Sequence, residues 1–206
     1  MFDLDGTLVD SLADIITHLN ASLADHGLPT RGAEQIAEWV GYGAEQLVAR
    51  AVPSANLAAP VLATFRARYR GRPVIETHLY PGLDRVLDAL EQRYQLAVLS
   101  NKPHDLTREV CAAVLARWPF AVIAGAHPDR AKKPDPQALR AVAAELDVDI
   151  AACAMVGDSE VDIQTARAAG ATSIAVSWGM RPLAVLTDAR PDRIVHTPDE
   201  LLAALT

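Results

Sequence analysis

Two aspartates near the start of the chain have the spacing of a catalytic pair. Asp3 and Asp5 flank one leucine, follow the apolar Phe2 and precede Gly6 and Thr7. If Phe2 belongs to a strand, both acids lie at its carboxyl end, where ligands bind in open α/β sheets. One acid can then stay ionised as nucleophile and metal ligand, while the other is held protonated as a general acid. The alternative is a strand that ends in an Asp-Gly turn without chemistry.

A second pair of acids lies far along the chain. Asp158 follows a short apolar run, and Asp162 comes four residues later. If a helix begins near Ser159, both carboxylates face the strand ends, and carboxylate oxygens with water are the ligands that Mg²⁺ requires. The alternative is a helix N-terminus enriched in acids because they interact favourably with the helix dipole.

Two further segments could hold a phosphate group. Lys133 comes shortly before Asp135 and Pro136, which open a predicted helix as N-cap and first residue. An ammonium at such a position can lie over a bound phosphate. Ser100 and Asn101 end an apolar run and carry hydroxyl and amide groups that suit phosphate oxygens. Alone, these would be a solvated lysine and an ordinary turn; the occurrence of all four segments in one chain favours a phosphate site.

The elements needed to position these groups alternate between strand and helix in the second part of the chain. Short apolar runs bounded by Gly, Asn or Asp are typical of buried parallel strands, and helical spacing of apolar residues marks the segments between them. The predicted strands are Leu96–Ser100, Ala121–Ala124, Ala154–Val156 and Ser173–Val176, and the predicted helices include Leu83–Arg93, Asp135–Leu146 and Val161–Ala169. This alternation predicts an α/β fold with a doubly wound, mainly parallel, Rossmann-like sheet.

Residues 14 to 78 differ, because helical patterns follow one another there without a strand pattern. The predicted helices of this region are Ser11–His26, Ala33–Val40, Ala44–Ala51 and Ala59–Arg70. We therefore expect residues 14–78 to form a helical cap domain, called the helical insert below. The core domain would consist of residues 1–13 and 79–206.

The composition limits the partners and the location of the protein. Its 206 residues are 50% hydrophobic, which is enough for a real core, and carry a formal net charge of −7. A nucleic-acid partner is disfavoured because a phosphate backbone requires a basic face. No apolar run reaches the roughly 20 residues of a membrane span, and the acidic start does not resemble a secretory leader. We expect a cytoplasmic monomer or homodimer with no membrane partner.

The first strand is predicted to be short. Only Met1 and Phe2 precede Asp3, whereas a strand typically runs about five to six residues. We expect a version of the chain that begins further upstream to unfold at a higher temperature.

Taken together, these segments resemble the motifs of the haloacid dehalogenase superfamily, and in particular its phosphoglycolate phosphatase-like branch, which has a helical cap after the first motif. In chain order they read DxDGTLVDS at 3–11, YPG at 80–82, SNK at 100–102, KPDP at 133–136 and GDSxxD at 157–162. The resemblance covers almost the whole chain. It implies a Mg²⁺-dependent phosphatase whose cap closes over a small phosphorylated substrate.

The resemblance also implies roles for the acids. Asp3 would attack phosphorus and form an aspartyl-phosphate, and Asp5 would protonate the leaving alkoxide and then activate water. Mg²⁺ would be held by the Asp3 carboxylate, the Asp5 carbonyl and Asp158, with Asp162 orienting water or Lys133.

Contacts to the phosphate are implied for a second set of residues. Ser100, the Asn101 region and Lys133 would hold the equatorial oxygens and offset the charge that develops on them. Gly6 and Thr7 would shape the turn and the phosphate pocket.

Tyr42 and Glu45 of the helical insert are expected to line the substrate pocket, because relatives of this branch have a similar Gly-x-Gly turn that faces the active site. The alternative is a helix–helix turn in which glycine supplies a positive φ. The favoured substrate is 2-phosphoglycolate; a sugar-phosphate phosphatase or a phosphomutase of the same fold remains open. A catalytically silent binding protein is disfavoured, because it should have lost Asp3, Asp5 or Lys133.

Overall fold

The main sheet is parallel, and the first three residues of the chain lie at its centre. The computed structural model describes residues 1–206. Its strands are β1 (Val9–Asp10), β2 (His78–Leu79), β3 (Leu96–Pro103), β4 (Phe120–Ala126), β5 (Ala154–Gly157), β6 (Thr172–Val176) and β7 (Arg193–Val195). Strand β3 pairs with β4, and β6 pairs with β5 and β7, all in parallel. Phe2 joins the two groups through parallel bridges to Val98 and Val156, so the strand order is β4-β3-(1–3)-β5-β6-β7.

Backbone hydrogen bonds fix residues 1–3 between β3 and β5. Phe2 N–H donates to Ala97 O at 2.8 Å, and Asp3 N–H donates to Val156 O at 2.9 Å. The neighbouring strands run in the same direction as this segment, so their carboxyl ends lie on either side of Asp3.

Helices cover both faces of this sheet. They are α1 (Leu12–Asp25), α2 (Ala33–Trp39), α3 (Ala44–Ala51), α4 (Ala58–Gly71), α5 (Leu83–Leu90), α6 (His104–Val114), α7 (Pro136–Glu145), α8 (Glu160–Ala169), α9 (Leu183–Ala189) and α10 (Pro198–Leu205). Leu96 and Val98 pack with α5, α6 and α10, whereas Ala97 and Leu99 pack with α7 and α8. Because successive side chains of a strand point to opposite faces, these two clusters are the two sides of a doubly wound sheet. The predicted α/β fold is confirmed.

The helical insert has a hydrophobic cluster of its own. Leu19, Leu23, Ile36 and Val48 are fully buried in it, and Leu106 of α6 joins the same cluster from the sheet side. None of the helices of the chain combines the length and the apolar composition needed to cross a bilayer.

The chain enters and leaves the helical insert through one short antiparallel pair. Val9 of β1 pairs with Leu79 of β2, and Asp10 pairs with His78. Such a two-residue strand has no sequence periodicity, which is why the sequence pattern predicted no strand near residue 78.

A buried carboxylate fastens this junction. The carboxylate of Asp14 in α1 accepts hydrogen bonds from the backbone N–H groups of Ile75, Glu76 and Thr77 and from the Thr77 hydroxyl, at 2.6 to 3.0 Å. Burial alone would raise the pKa of Asp14, but the hydrogen bonds outweigh it and hold this pKa below its ordinary value.

Candidate active site

Asp3 lies at the carboxyl end of the central segment, with its side chain buried. Its Oδ1 accepts hydrogen bonds from Leu4 N–H at 2.7 Å and contacts Lys133 Nζ at 2.9 Å. Its Oδ2 accepts no hydrogen bond from the protein. One oxygen is therefore held in place while the other remains free to bind or attack a ligand.

The second acid pair, Asp158 and Asp162, lies beside Asp3. Strand β5 ends at Gly157, and α8 begins at Glu160. Asp158 Oδ2 accepts from Met180 N–H at 2.7 Å. Asp162 Oδ1 accepts from Lys133 Nζ at 2.6 Å, and its Oδ2 accepts from the Ser159 hydroxyl at 2.6 Å.

Burial and charge shift the pKa values of this cluster. Burial raises the pKa of Asp3 to about 8, although the Lys133 ammonium opposes the shift. Burial, followed by the charge of Asp162, raises the pKa of Asp158 to about 6. Burial alone would lower the pKa of Lys133, but the charges of Asp162 and Asp3 raise it to about 12. The cluster thus buries more carboxylate charge than one ammonium can offset.

These carboxylates fit a small divalent cation. Oxygens of Asp3, Asp158 and Asp162 lie within 4.8 Å of one another, and carboxylate oxygens are the hard ligands that Mg²⁺ prefers. Asp162 accepts three hydrogen bonds, from Lys133 Nζ and from the Ser159 N–H and hydroxyl. Each oxygen of Asp158 accepts one, from Thr7 Oγ1 and Met180 N–H, and keeps a second lone pair. Asp3 Oδ2 accepts none, so Asp3 and Asp158 have more free lone pairs for a metal than Asp162. A bound cation would offset the buried negative charge and lower the pKa of both acids. The contribution of the Asp5 carbonyl stays a prediction.

Asn101 holds Lys133 in position. Its side-chain Oδ1 accepts from Lys133 N–H at 3.0 Å, and its Nδ2 donates to Lys133 O at 2.8 Å. The same Nδ2 donates to Gly41 O of the helical insert at 2.9 Å. The side chain of Asn101 therefore positions the lysine and links the insert to the sheet, and only its backbone remains for a phosphate.

Ser100 presents a hydroxyl at the edge of the same site. It is buried, and its Oγ accepts from Lys102 N–H at 3.1 Å. The Ser100 hydroxyl donates to no acceptor in the protein. A free donor at the end of β3 is suited to an anionic oxygen.

Asp5 is held by two side chains. Its Oδ1 accepts from Ser11 Oγ at 2.6 Å and from Lys102 Nζ at 3.0 Å. Ser11 precedes the first turn of α1, so the segment that leads into the helical insert contacts the predicted acid–base residue directly.

Gly6 and Thr7 shape the turn under Asp158. Gly6 has φ +82°, and a Cβ at this position would lie 2.4 Å from Asp158 Oδ2. Thr7 Oγ1 donates to Asp158 Oδ1 at 3.3 Å. Gly6 and Thr7 therefore contact Asp158 and position its carboxylate at the phosphate site.

A small cavity lies between the strand ends and the helical insert. Asp3, Asp5 and Ser100 line its base. Its volume is about 50 Å³, which is room for about four water-sized groups. The insert supplies a mainly apolar roof, made by Ile15, Val40, Gly41, Gly43, Ala44, Leu47, Phe65 and Tyr69.

The structure places Tyr42 and Glu45 away from the lining of this cavity. The Tyr42 hydroxyl donates to Glu160 Oε1 at 2.7 Å. Glu45 forms ion pairs with Arg66 and Lys132 at the surface. Gly41 and Gly43, on either side of Tyr42, line the cavity instead, so the backbone of this turn faces the site while the Tyr42 side chain points elsewhere.

An arginine of the core fastens this turn. Arg181, after β6, is buried, and its guanidinium donates to Ala37 O and Val40 O of the helical insert. Its Nε donates to Glu160 Oε2 at 3.0 Å, and Glu160 is also the acceptor of Tyr42. The network holds the insert against the rim of the sheet.

Comparison with known proteins identifies the family of this chain. A family model described as haloacid dehalogenase-like hydrolase matches residues 1–176. The chain belongs to this family. The resemblance inferred from the motifs is therefore confirmed.

Individual haloacid dehalogenase-like relatives extend the match to the whole chain. A phosphoglycolate phosphatase from Aliivibrio fischeri is 34% identical over 100% of this chain and 95% of that protein. A plasmid-encoded phosphoglycolate phosphatase from Cupriavidus necator is 36% identical over 99% of this chain and 93% of that protein. The solved structure of a haloacid dehalogenase-like family hydrolase from Streptococcus pneumoniae has a TM-score of 0.90 at 25% identity, covering 100% of this chain and 96% of that one.

Three residues of this haloacid dehalogenase-like hydrolase had no role assigned from its sequence. Lys102 offered a signal, because it follows Ser100 and Asn101 at a strand end. Asp14 and Arg181 offered none, because their main partners are backbone groups far away in the sequence.

Proposed function

We propose that this hydrolase is a Mg²⁺-dependent phosphatase that cleaves a small phosphomonoester through an aspartyl-phosphate on Asp3. The observation that carries the proposal is the contact of Asp3 Oδ1 with Lys133 Nζ at 2.9 Å, beside an Oδ2 that accepts no hydrogen bond. An anion held by Lys133 would lie next to a carboxylate oxygen that is free to attack it.

The reaction has two steps. In the first, Asp3 Oδ2 attacks phosphorus, the bond from phosphorus to the leaving oxygen breaks, and Asp5 gives a proton to that oxygen. In the second, Asp5 takes a proton from the water that attacks the aspartyl-phosphate, which releases inorganic phosphate and restores Asp3. Lys133 and Ser100 donate hydrogen bonds to the phosphoryl oxygens and offset their charge in both steps. Mg²⁺, held by Asp3 and Asp158, would supply further neutralisation of the phosphoryl group.

The favoured substrate is 2-phosphoglycolate. The curated relatives from Aliivibrio fischeri and Cupriavidus necator are named phosphoglycolate phosphatase. The cavity of about 50 Å³ under the helical insert suits a leaving group of few atoms better than a sugar ring.

The nucleophile is tested with Asp3→Asn, which keeps the size of the side chain and removes its charge. Hydrolysis of a chromogenic phosphate ester and of 2-phosphoglycolate is measured with Mg²⁺ and after chelation. We expect the variant to be inactive with either substrate, and acid quenching of the unsubstituted enzyme to trap phosphate on the peptide that contains Asp3. Activity in Asp3→Asn would refute the proposed nucleophile.

Asp10→Asn is the matched control. Asp10 lies in the same segment and does not line the cavity. We expect this variant to keep its activity, which separates loss of the nucleophile from a general effect of removing an acid. A panel of sugar phosphates compared with 2-phosphoglycolate by kcat/KM tests the substrate.

A further inference from the structure

Lys102 is a buried cation that holds Asp5 but contacts no phosphoryl oxygen in the proposed reaction. Its Nζ lies 3.0 Å from Asp5 Oδ1 and 3.0 Å from the Tyr69 hydroxyl. It is the only cationic side chain that lines the cavity between the sheet and the helical insert. Lys102 comes from the end of β3 and Tyr69 from α4, so the pair forms only when the insert lies against the sheet.

One hydrogen-bond donor of this pair has no acceptor in the protein. The three protons of the Lys102 ammonium have three acceptors, which are Asp5 Oδ1, Asp5 Oδ2 and the Tyr69 oxygen. The Tyr69 oxygen accepts from Lys102, while its own proton is donated to no protein acceptor. Tyr69 is 1% exposed, so bulk water is a poor substitute for a partner. A buried donor without a protein acceptor is suited to an acceptor on a ligand.

The rest of the roof offers no comparable polar side chain. The apolar lining residues of the helical insert are Ile15, Val40, Ala44, Leu47 and Phe65, and Leu106 adds another apolar contact from α6. A polyhydroxylated leaving group would leave its hydroxyls unpaired against such a surface. A single compact anionic group beside Lys102 would leave no hydroxyl unpaired.

We propose that Lys102 and Tyr69 bind a carboxylate on the leaving group and thereby select phosphomonoesters of small hydroxy acids. This inference rests on the proposed phosphatase function, because it assigns the second end of the same substrate. The phosphoryl group is held at Lys133, and the acid group of the alcohol is held at the Lys102 ammonium and the Tyr69 hydroxyl. A site built to pair with a charged group discriminates strongly against analogues that lack it, because its buried donors are then left unpaired.

The test compares two substrates of similar size, 2-phosphoglycolate and ethyl phosphate, which lacks the carboxylate. The measured quantity is the ratio of their kcat/KM values in each enzyme. For Lys102→Met we expect this ratio to fall by about 30-fold, and for Tyr69→Phe by about tenfold, which are typical losses for hydrogen bonds to charged groups. The loss with 2-phosphoglycolate should lie mainly in KM, because the carboxylate is bound before the reaction as well as during it.

Lys132→Met is the matched control. Lys132 neighbours the catalytic Lys133 in sequence, but its ammonium pairs with Glu45 outside the cavity. The ratio should be unchanged in this variant. Tyr69→Phe keeps the ring that packs on Phe65 and His18, so it tests the site even if Lys102→Met fails to fold.

The outcomes separate this inference from the proposed function. If Lys102→Met and Tyr69→Phe lose activity equally with both substrates, and the loss lies in kcat, then the pair only positions Asp5 and the carboxylate assignment is wrong. If the unsubstituted enzyme prefers ethyl phosphate, the carboxylate assignment is wrong while the phosphatase function stands. If it hydrolyses no phosphomonoester at all, both are wrong.

Discussion

The ammonium of Lys133 contacts Asp3 Oδ1 at 2.9 Å, although the two residues lie 130 positions apart in the sequence. Asp162 and the side chain of Asn101 hold the lysine there. The contact couples the proposed nucleophile, Asp3, to the ammonium that would bind the phosphate.

Replacing this lysine should abolish most of the activity. In Lys133→Met the phosphoryl oxygens lose a buried cationic donor, so we expect kcat to fall by about 10²–10³-fold. Steady-state kinetics with one substrate measures the loss, and circular dichroism checks the fold. The neighbouring Lys132→Met removes an exposed ion pair and should stay within about threefold of the unsubstituted enzyme. Similar losses in both variants would contradict the assignment.

A methyl group at Gly6 should inactivate the enzyme by displacing Asp158. A Cβ there would lie 2.4 Å from Asp158 Oδ2, and a displacement of about 1 Å in a catalytic group can cost about 100-fold in rate. We expect Gly6→Ala to lose at least about this factor in kcat/KM.

Gly27→Ala separates this clash from backbone strain. Gly27 also has a positive φ, +68°, but nothing lies within 4 Å of its added Cβ. Gly27→Ala should lose about 1–2 kcal/mol of folding free energy in chemical denaturation. Gly6→Ala should lose at least as much, because the clash adds to the strain, and only Gly6→Ala should lose activity. An inactive Gly27→Ala would show that strain alone accounts for the effect.

Asp14→Asn should destabilise the fold. The change leaves backbone N–H groups of residues 75–77 without their charged acceptor, and we expect a loss of about 3 kcal/mol in the free energy of unfolding. Urea denaturation at neutral pH measures it. Asp25→Asn, at the other end of α1, removes only an exposed ion pair with Arg68 and should cost less than about 1 kcal/mol.

The cost of Asp14→Asn should also depend on pH. The folded-state pKa of Asp14 lies below its ordinary value near 3.8, so this carboxylate stabilises the fold fully above that value and loses its contribution as the pH falls through the folded pKa. The stability difference between Asp14→Asn and the unsubstituted enzyme should therefore be constant near neutrality and shrink in acid. A difference that grows on acidification would contradict the direction of the shift.

Removing Arg181 should loosen the turn that covers the cavity. Arg181→Met deletes the hydrogen bonds to Ala37 O and Val40 O, and we expect amide hydrogen exchange in residues 36–43 to accelerate by about tenfold. Exchange in the parallel sheet should not change. Tyr42→Phe removes one hydrogen bond to Glu160 and should give a smaller increase in the same amides. Unaltered exchange in both variants would mean that the turn is held by other contacts.

Strands β3 to β6 of the core were predictable because buried parallel strands are continuous apolar runs. Strand β7 (Arg193–Val195) was not predicted, because three residues that begin with an arginine form no such run. The predicted strand Leu96–Ser100 extends to Pro103 in the structure, because its pairing with β4 resumes beyond the apolar run, at Pro103 and Ala126. The helix α6 has a mixed sequence, and its buried face is defined by the sheet and the helical insert rather than by a strong pattern of its own.

The acids and Lys133 were predictable because each follows a strand or precedes a helix, and the carboxyl ends of parallel strands meet at one edge. The hydrogen bond between Lys102 and Tyr69 was not predictable, because one residue comes from the sheet and the other from the helical insert. The same holds for Asn101, whose side chain binds the backbone of Lys133 across the sheet edge.

The narrow junction at β1 and β2 has an evolutionary consequence. Since the chain departs and returns at neighbouring residues, Val9 and Leu79, everything between them can be exchanged as a cassette without altering any ladder of the main sheet. Lineages descended from this scaffold could acquire new substrates by exchanging that segment, while Asp3, Lys133 and Asp158, which lie outside it, are inherited unchanged.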